Sequence, residues 1–159
     1  MHTTATTNTL ARVIQLCERF HRVALRLRSR HDGRTPFEIK DEYDVQDLLD
    51  ALLQTDFDDV RREERSPSHA GSSPAIDFLL KAEQLGIEAK MARPSMSAKT
   101  LGDELLADVG RYAEHPDCRT LVCFVYDPEA RLKNPRGLER DLEKHSREGL
   151  RVVAIIAPR

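Results

Sequence analysis

The stretch AIDFLLKAEQLGIEAKM, residues 75–91, decides the fold. Two short apolar runs, residues 75–80 and 87–91, flank a polar turn, and this pattern predicts a β-hairpin. Asp77 interrupts the first run. An ionised carboxylate in an apolar strand is costly unless it is paired or bound to a metal. The stretch therefore predicts a β-hairpin and makes Asp77 a candidate functional residue.

The second strand of the hairpin carries Glu88 and Lys90 two residues apart, so both side chains point to the same face. The turn can bring them beside Asp77. Two carboxylates offer the hard oxygen ligands that suit Mg²⁺, and a lysine can position a water or offset charge on a phosphate. One interpretation is metal-assisted phosphodiester hydrolysis. The other is a cross-strand salt bridge on a solvated face, and the triplet alone favours it.

Outward from the hairpin, helical and strand patterns alternate. Helices are predicted at residues 10–30, 41–55, 100–115 and 135–147, and further strands at 60–65, 120–126 and 150–157. The second helix can be capped by Asp41 or Thr35, and its apolar side is predicted at Tyr43, Leu48, Leu49, Leu52 and Leu53. The run TLVCFVY, residues 120–126, is typical of a strand buried on both faces. This order predicts an α/β protein with a mixed sheet and helices on both faces. Such a context gives the catalytic interpretation of the hairpin more weight.

The first predicted helix is amphipathic. Its apolar residues recur at spacings of three and four: Val13, Leu16, Phe20, Val23 and Leu27. Leu10, Cys17 and Ala24 widen this stripe. The opposite face carries arginines: Arg19, Arg22, Arg26, Arg28 and Arg30. We expect the broad apolar stripe to pack on the chain's own core, with a dimer seam as the alternative. The arginines can contact phosphates, although a solvated helix face is favoured for at least half of them.

Composition excludes several classes of protein. At 159 residues the chain is long enough for one domain with its own core. Its 25 basic and 27 acidic residues leave a net charge of −2, which excludes a polybasic tail protein. Its apolar runs are too short for a membrane helix. Cys17, Cys118 and Cys123 form no CxxC pair, which argues against a disulfide framework and indicates reduced thiols in a cytoplasmic protein.

The pattern D77-x10-E88-x-K90, on a hairpin between helices, resembles the PD-(D/E)XK nuclease superfamily. Longer stretches, among them RHDGRTPFEIKDEYDVQDLLDALL, IEAK and the closing VVAIIAP, resemble DpnII/MboI-type restriction endonucleases. The resemblance implies a restriction-endonuclease-like domain over residues 31–159, after a tail and amphipathic helix at residues 1–30. It also implies cleavage of DNA with Mg²⁺ or Mn²⁺, in a restriction-like or anti-phage defence role.

The resemblance also assigns roles to single residues. Asp77 and Glu88 would bind the metal together with the carbonyl of Ala89, and Lys90 would orient the attacking water. Glu42 matches an acidic position on the preceding helix that completes the metal site in many members. The alternative for Glu42, an acid favoured by the helix dipole in a first turn, carries equal weight.

The chain departs from the family pattern at three positions. Ile76 stands before Asp77 where the motif has proline, and Met91 stands where relatives often have a second lysine. Glu104 occupies a helix position where the family often has glutamine. These departures bear on turnover rather than on the fold.

Predicted contacts to DNA lie just before the hairpin. They are Arg61, Arg62 and Arg65, with Ser72 and Ser73 in the loop SPSHAGSSP, and an ordinary polar loop is the alternative for that segment. The chain is too small for a separate sequence-reading domain. Either it cuts with low specificity, or a homodimer through the N-terminal helix or a partner protein supplies specificity and control. The rival class is a non-catalytic module that binds nucleic acid or protein on a nuclease fold. An RNA-cutting enzyme with the same site is a third class.

Overall fold

The computed structural model describes residues 2–64 and 75–159. In chain order the elements are α1 (His2–Leu27), a 3₁₀ turn (His31–Gly33), α2 (Glu42–Gln54), β1 (Val60–Glu64), β2 (Ile76–Leu80), β3 (Leu85–Met91), α3 (Ala98–Glu114), β4 (Thr120–Tyr126), α4 (Pro135–Glu143) and β5 (Arg151–Ala157). No helix in these two ranges has both the length and the apolar character needed to cross a membrane.

The strands form one mixed sheet, which confirms the predicted α/β architecture. Within the described residues the order is β1-β2-β3-β4-β5. The pairs β1–β2 and β2–β3 are antiparallel, whereas β3, β4 and β5 are parallel and are linked by α3 and α4. Every residue of β4 is buried, as its continuous apolar run predicts.

Two apolar cores cover the two faces of the sheet. One lies under α1 and α2 and includes Phe20, Leu49 and Ile87. The other lies under α3 and α4 and includes Leu105 and Leu121. Because neighbouring residues of β3 point to opposite faces, every second side chain of this strand faces α3.

Helix α1 differs from its prediction in its start and in its rotation. It begins at His2 rather than at residue 10. The buried stripe is Leu10, Val13, Cys17, Phe20 and Ala24, whereas Leu16 and Val23 lie at its margin and Leu27 is exposed. The small side chains of Cys17 and Ala24 face the core between the larger ones. The helix packs against α2 and β5, and the division of the chain at residue 30 stays a prediction.

Helix α2 begins with a capping box, in which Asp41 rather than Thr35 is the cap. The Asp41 carboxylate accepts a hydrogen bond from the Asp44 N–H at 3.0 Å, and the Asp44 carboxylate accepts one from the Asp41 N–H at 3.3 Å. The expectation that Tyr43 lies on the apolar side is wrong, because Tyr43 is 69% exposed. The buried side of the helix is set instead by Val45 and Leu49 with their helical neighbours.

Strand β3 starts at Leu85, not at residue 87, and α4 ends at Glu143, not at residue 147. The polar turn of the hairpin is shorter than predicted, because Gly86 belongs to the strand. A Cβ atom on Gly86 would lie 2.6 Å from ring atoms of Tyr112. This glycine therefore makes room for a side chain of α3 rather than for a turn.

Strand β1 forms an edge of the described sheet and is locally kinked. Arg62 pairs with Phe78 and Glu64 with Ile76, but Glu63 between them adopts φ 57°, in the left-handed region. The kink lies opposite Asp77.

Candidate active site

Asp77 and Glu88 lie side by side where the hairpin ladder ends. The paired register of β2 and β3 runs from Leu80↔Leu85 to Phe78↔Ile87, so the next two residues, Asp77 and Glu88, face each other. There the Asp77 Oδ2 atom accepts a hydrogen bond from the Ala89 N–H at 2.9 Å. The structure thus brings the two predicted carboxylates to the same face, toward α3.

Glu88 is a buried carboxylate with few compensating charges. Its side chain is nearly inaccessible, and its Oε1 atom lies 3.8 Å from the Lys90 Nζ. Burial, and then the charges of Asp77 and Asp108, raise the pKa of Glu88 to about 8. Burial also raises the pKa of Asp77, against the opposing effects of the Ala89 N–H and Lys90. Both carboxylates would gain from a nearby cation.

Lys90 lies among three carboxylates. Its Nζ atom is 3.3 Å from Asp108, 3.8 Å from Glu88 and 3.9 Å from Glu104. Burial alone would lower the pKa of Lys90, but the neighbouring carboxylates, Asp108 first, outweigh it and raise the pKa. Lys90 therefore stays an ammonium ion at neutral pH. It can donate hydrogen bonds and balance negative charge, but it cannot take up a proton.

Tyr112 is a site residue that the sequence reasoning missed. Its buried hydroxyl lies 3.0 Å from the Asp77 backbone N–H, from which it accepts a hydrogen bond. The same hydroxyl is 2.8 Å from both the Ile87 carbonyl oxygen and the Glu88 Oε2, and can donate to either. One side chain of α3 thereby holds both strands of the hairpin at the point where the carboxylates diverge from the ladder.

Asp108 and Arg111 were missed as well. Asp108 is buried, and its carboxylate pairs with both Lys90 and Arg111. The Arg111 guanidinium also lies 3.8 Å from the Glu88 Oε1. Their spacing from Glu104 along α3 repeats every three or four residues, and this is the sequence signal that could have found them.

Glu42 joins the same cleft from the first turn of α2. Its Oε1 atom accepts a hydrogen bond from the Met91 N–H at 3.4 Å and lies 3.6 Å from the Arg93 guanidinium. A cleft of about 390 Å³ is lined by nine residues: Glu42, Tyr43, Gln46, Glu63, Ala75, Asp77, Glu88, Lys90 and Arg111. The structure thus gathers all the predicted acidic site residues around one opening.

The donor set of the cleft suits a hard divalent cation. Carboxylate oxygens are the ligands that Mg²⁺ prefers, and burial, the main cause of the raised pKa values of Asp77 and Glu88, makes both groups costly to ionise without a bound cation. Across residues 2–64 and 75–159, no three Asp, Glu, His or Cys side chains converge as a metal-binding group. Asp77 and Glu42 each accept a hydrogen bond from a backbone N–H of β3 instead. The metal-binding roles, including that of the Ala89 carbonyl, stay predictions.

Two of the residues predicted to contact DNA form ion pairs with carboxylates, and the other three lie outside the described residues. The Arg61 guanidinium pairs with Asp59 at 3.2 Å. Arg62 pairs with Asp47 at 2.8 Å and with Asp50 at 3.7 Å. To bind a phosphate, each arginine would have to exchange these partners. Three further predicted contacts lie outside the described residues: Arg65, Ser72 and Ser73.

The three departures from the family pattern have separate environments. Ile76 is buried in the core under α3 and α4. Met91 points to the face opposite Lys90, where it packs against the other core. The Glu104 carboxylate is 3.1 Å from the Arg93 guanidinium, so its negative charge is partly balanced.

A protein-family model, DpnII-MboI, described as REase_DpnII-MboI, matches residues 11–159. The match includes every residue of the cleft. Neither the curated proteins nor the solved structures contain a match to the chain.

Proposed function

We propose that this chain, which belongs to the DpnII-MboI restriction endonuclease family, hydrolyses DNA phosphodiester bonds at the cleft between β2, β3 and α3 with the help of a divalent cation, Mg²⁺ or Mn²⁺. The family is one of DNA-cleaving endonucleases. The observation that carries the proposal is the pair Asp77 and Glu88, two partly or wholly buried carboxylates of raised pKa beside the Lys90 ammonium group.

Asp77 and Glu88 would hold the cation, with Glu42 and the Ala89 carbonyl as further oxygen ligands. When bound, a divalent cation polarises the phosphate and lowers the pKa of water. The chain's own residues supply orientation and charge. Lys90, held by Asp108 and Glu88, would donate a hydrogen bond to the attacking water and balance the negative charge that develops on the phosphate.

Two residues of α3 complete this assignment. The Arg111 side chain is one-third exposed at the wall of the cleft, where it can reach a phosphate oxygen. Tyr112 is a positioning residue, because its hydroxyl fixes the Asp77 backbone and the Glu88 carboxylate at once. Removing the Tyr112 hydroxyl would therefore misplace the two acids that the reaction requires.

A purely structural role for these charges fits the structure less well. In a binding module, salt bridges would satisfy the acids. Here Lys90 is shared by three carboxylates, and burial, followed by the charges of Asp77 and Asp108, raises the pKa of Glu88. The excess of negative charge in a partly closed cleft is what a divalent cation would remove.

The proposed defence role and cytoplasmic location extend the family assignment to this chain. A homodimer through α1 would use the exposed residues at its end, Leu25 and Leu27, which are 45% and 37% exposed. The rest of its apolar stripe is buried in the chain's own core. A specificity partner protein remains the other proposal for control.

The test is cleavage of supercoiled plasmid by the wild-type protein with Mg²⁺, with Mn²⁺ and with EDTA. Asp77→Ala and Lys90→Ala should each lose about 100-fold or more of the rate. Asp103→Ala and Lys99→Ala, an exposed pair on α3, are the matched controls and should cleave normally.

Folding of each variant is checked by circular dichroism. A folded wild-type protein that leaves plasmid intact with both metals would contradict the proposal. So would cleavage by Asp77→Ala at the wild-type rate.

A further inference from the structure

A second cavity of about 480 Å³ lies directly beside the cleft. The two openings share Glu42 and Tyr43 as a common wall. The second cavity lies where β3 and β4 end, at Met91 and Tyr126, and in α/β proteins ligands bind preferentially at the carboxyl ends of parallel strands. We call it the Arg28 cavity, after a residue at its rim that directly follows α1. Its volume falls in the range of roughly 300–1,000 Å³ typical of sites for small organic groups.

Two arginines at this cavity are without an acidic partner. Arg28 reaches it from the turn after α1, and Arg131 from the segment after β4. Among residues 2–64 and 75–159, no carboxylate lies within ion-pair distance of either guanidinium. The two other cations of the lining are paired, Arg93 with Glu42 and Lys40 with Glu38. Arg28 and Arg131 are therefore available to an anion that enters from solvent.

Most acidic side chains of the lining are already paired, so they do not neutralise these two arginines. Asp41 is engaged in the capping box of α2, and Glu42 is paired with Arg93. Glu129 is the remaining acid of the lining, against the two unpaired arginines. The cavity thus offers more free positive than free negative charge.

The other walls are suited to a planar, partly apolar group. Ala24, Ile39 and Met91 line the cavity with the ring of Tyr126, which is fixed edge-on against Phe20 at 4.9 Å between ring centroids. Tyr43 stands 69% exposed at the wall shared with the cleft. An exposed aromatic ring beside unpaired arginines is the combination that binds a base and its phosphate.

We propose that the Arg28 cavity receives the nucleotide next to the scissile phosphodiester of the DNA substrate. Arg28 and Arg131 contact its phosphate, and Tyr43 stacks on its base. The inference rests on the proposed function, because the shared wall places this nucleotide beside the one that is cut. It assigns DNA binding to residues other than Arg61 and Arg62, which are occupied by carboxylates.

The test measures binding of a short fluorescent duplex by anisotropy in EDTA, over a series of salt concentrations. The double variant Arg28→Ala/Arg131→Ala should bind at least about tenfold more weakly. The slope of the logarithm of its binding constant against the logarithm of the salt concentration should decrease in magnitude by about two, one for each lost arginine–phosphate contact. The matched control is Arg19→Ala/Arg22→Ala, two exposed α1 arginines outside the cavity, which should leave both quantities near wild type. Equal effects of the two double variants would overturn the proposal.

The base contact has its own test. Tyr43→Ala should weaken DNA binding by up to about tenfold without changing the salt dependence, and Tyr43→Phe should restore it. Loss in both variants would overturn the stacking role.

Two further arms separate the possible failures. Deoxyadenosine 5′-monophosphate is titrated against wild type and Arg28→Ala/Arg131→Ala. Wild-type-only binding of this mononucleotide, with unchanged DNA affinity in the variant, would identify a free-nucleotide site and overturn the proposal. Because binding is measured in EDTA, it does not depend on cleavage. If the protein binds DNA through the cavity but cuts no DNA, only the proposed function is refuted. If the protein cuts DNA but its DNA affinity is unchanged in Arg28→Ala/Arg131→Ala, only this inference is refuted.

Discussion

On one face of β3, Ile87 packs in an apolar core shared with α1, whereas on the other face Glu88 and Lys90 meet charged side chains of α3. The apolar face gains stability from every buried side chain. The charged face holds carboxylates at a cost that only a network of partners offsets. One strand therefore joins a stabilising surface to the charged surface that we propose for catalysis.

The largest expected effect separates the two faces by stability. Phe20→Ala should lower the free energy of unfolding by about 3–5 kcal/mol, because Phe20 is fully buried against Phe124 and Tyr126. Urea unfolding measures the loss. Leu25→Ala, on an exposed part of the same helix, should stay within about 0.5 kcal/mol. A similar loss in both variants would show that α1 contributes no specific packing to this face.

The charged face should make the metal-free protein less stable as pH rises. The pKa of Glu88 is raised from 4.5 to about 8 in the folded state, so between these values the folded chain binds more protons than the unfolded chain. The free energy of unfolding should then fall with pH across this window, by up to about 1.4 kcal/mol per pH unit.

Thermal melts in EDTA from pH 4.5 to 8.5 measure this dependence, and Asp77 acts in the same direction. Glu88→Gln should flatten the curve, and Mg²⁺ should restore stability at the alkaline end in wild type only. A wild-type curve that rises with pH would show that Glu88 is ionised without cost.

The third effect tests how α3 supports the charged face. Tyr112→Phe should cost about 1–3 kcal/mol, because the buried Asp77 N–H and the Glu88 carboxylate lose a hydrogen-bond partner. Mg²⁺ affinity, measured by calorimetry, should fall with it. Tyr126→Phe loses only a bond to His21 on the other face and should leave Mg²⁺ affinity unchanged. Equal Mg²⁺ affinities in the two variants would contradict a role of Tyr112 in positioning the metal-binding carboxylates.

The smallest effect concerns the margin of the charged face. Glu104→Gln should change stability by less than about 0.5 kcal/mol, since its pairs with Arg93 and Lys90 are partly exposed. It should raise the single-turnover cleavage rate modestly, because Lys90 is freed from one carboxylate. A large loss of rate would mean that Glu104 itself serves the reaction.

Alternation along the strands predicted much of this contrast. The period of two places Glu88 and Lys90 on one face, and the continuous apolar run of residues 120–126 predicts a strand buried on both sides. Both follow from local geometry, and both are confirmed by the structure.

The contributions of the helices were harder to predict. Which side of a helix meets the sheet is set by tertiary packing, so the stripe of α1 was predicted with the wrong centre and Tyr43 was placed on the wrong side. Tyr112 reaches Asp77 across 35 residues of sequence, and no local pattern marks that contact. The sequence predicts Gly86 in the turn, because its contact in space with Tyr112 is equally unmarked by any local pattern.

The kinked strand β1 also limits where two copies of the chain can meet. An unpaired strand edge invites a strand from another molecule, and charged side chains and a local kink oppose such strand addition. β1 has both, since Arg61 and Arg62 are fixed by ion pairs and Glu63 leaves the extended conformation. The sheet is therefore closed to growth on this side, and a second copy would have to associate elsewhere than along β1.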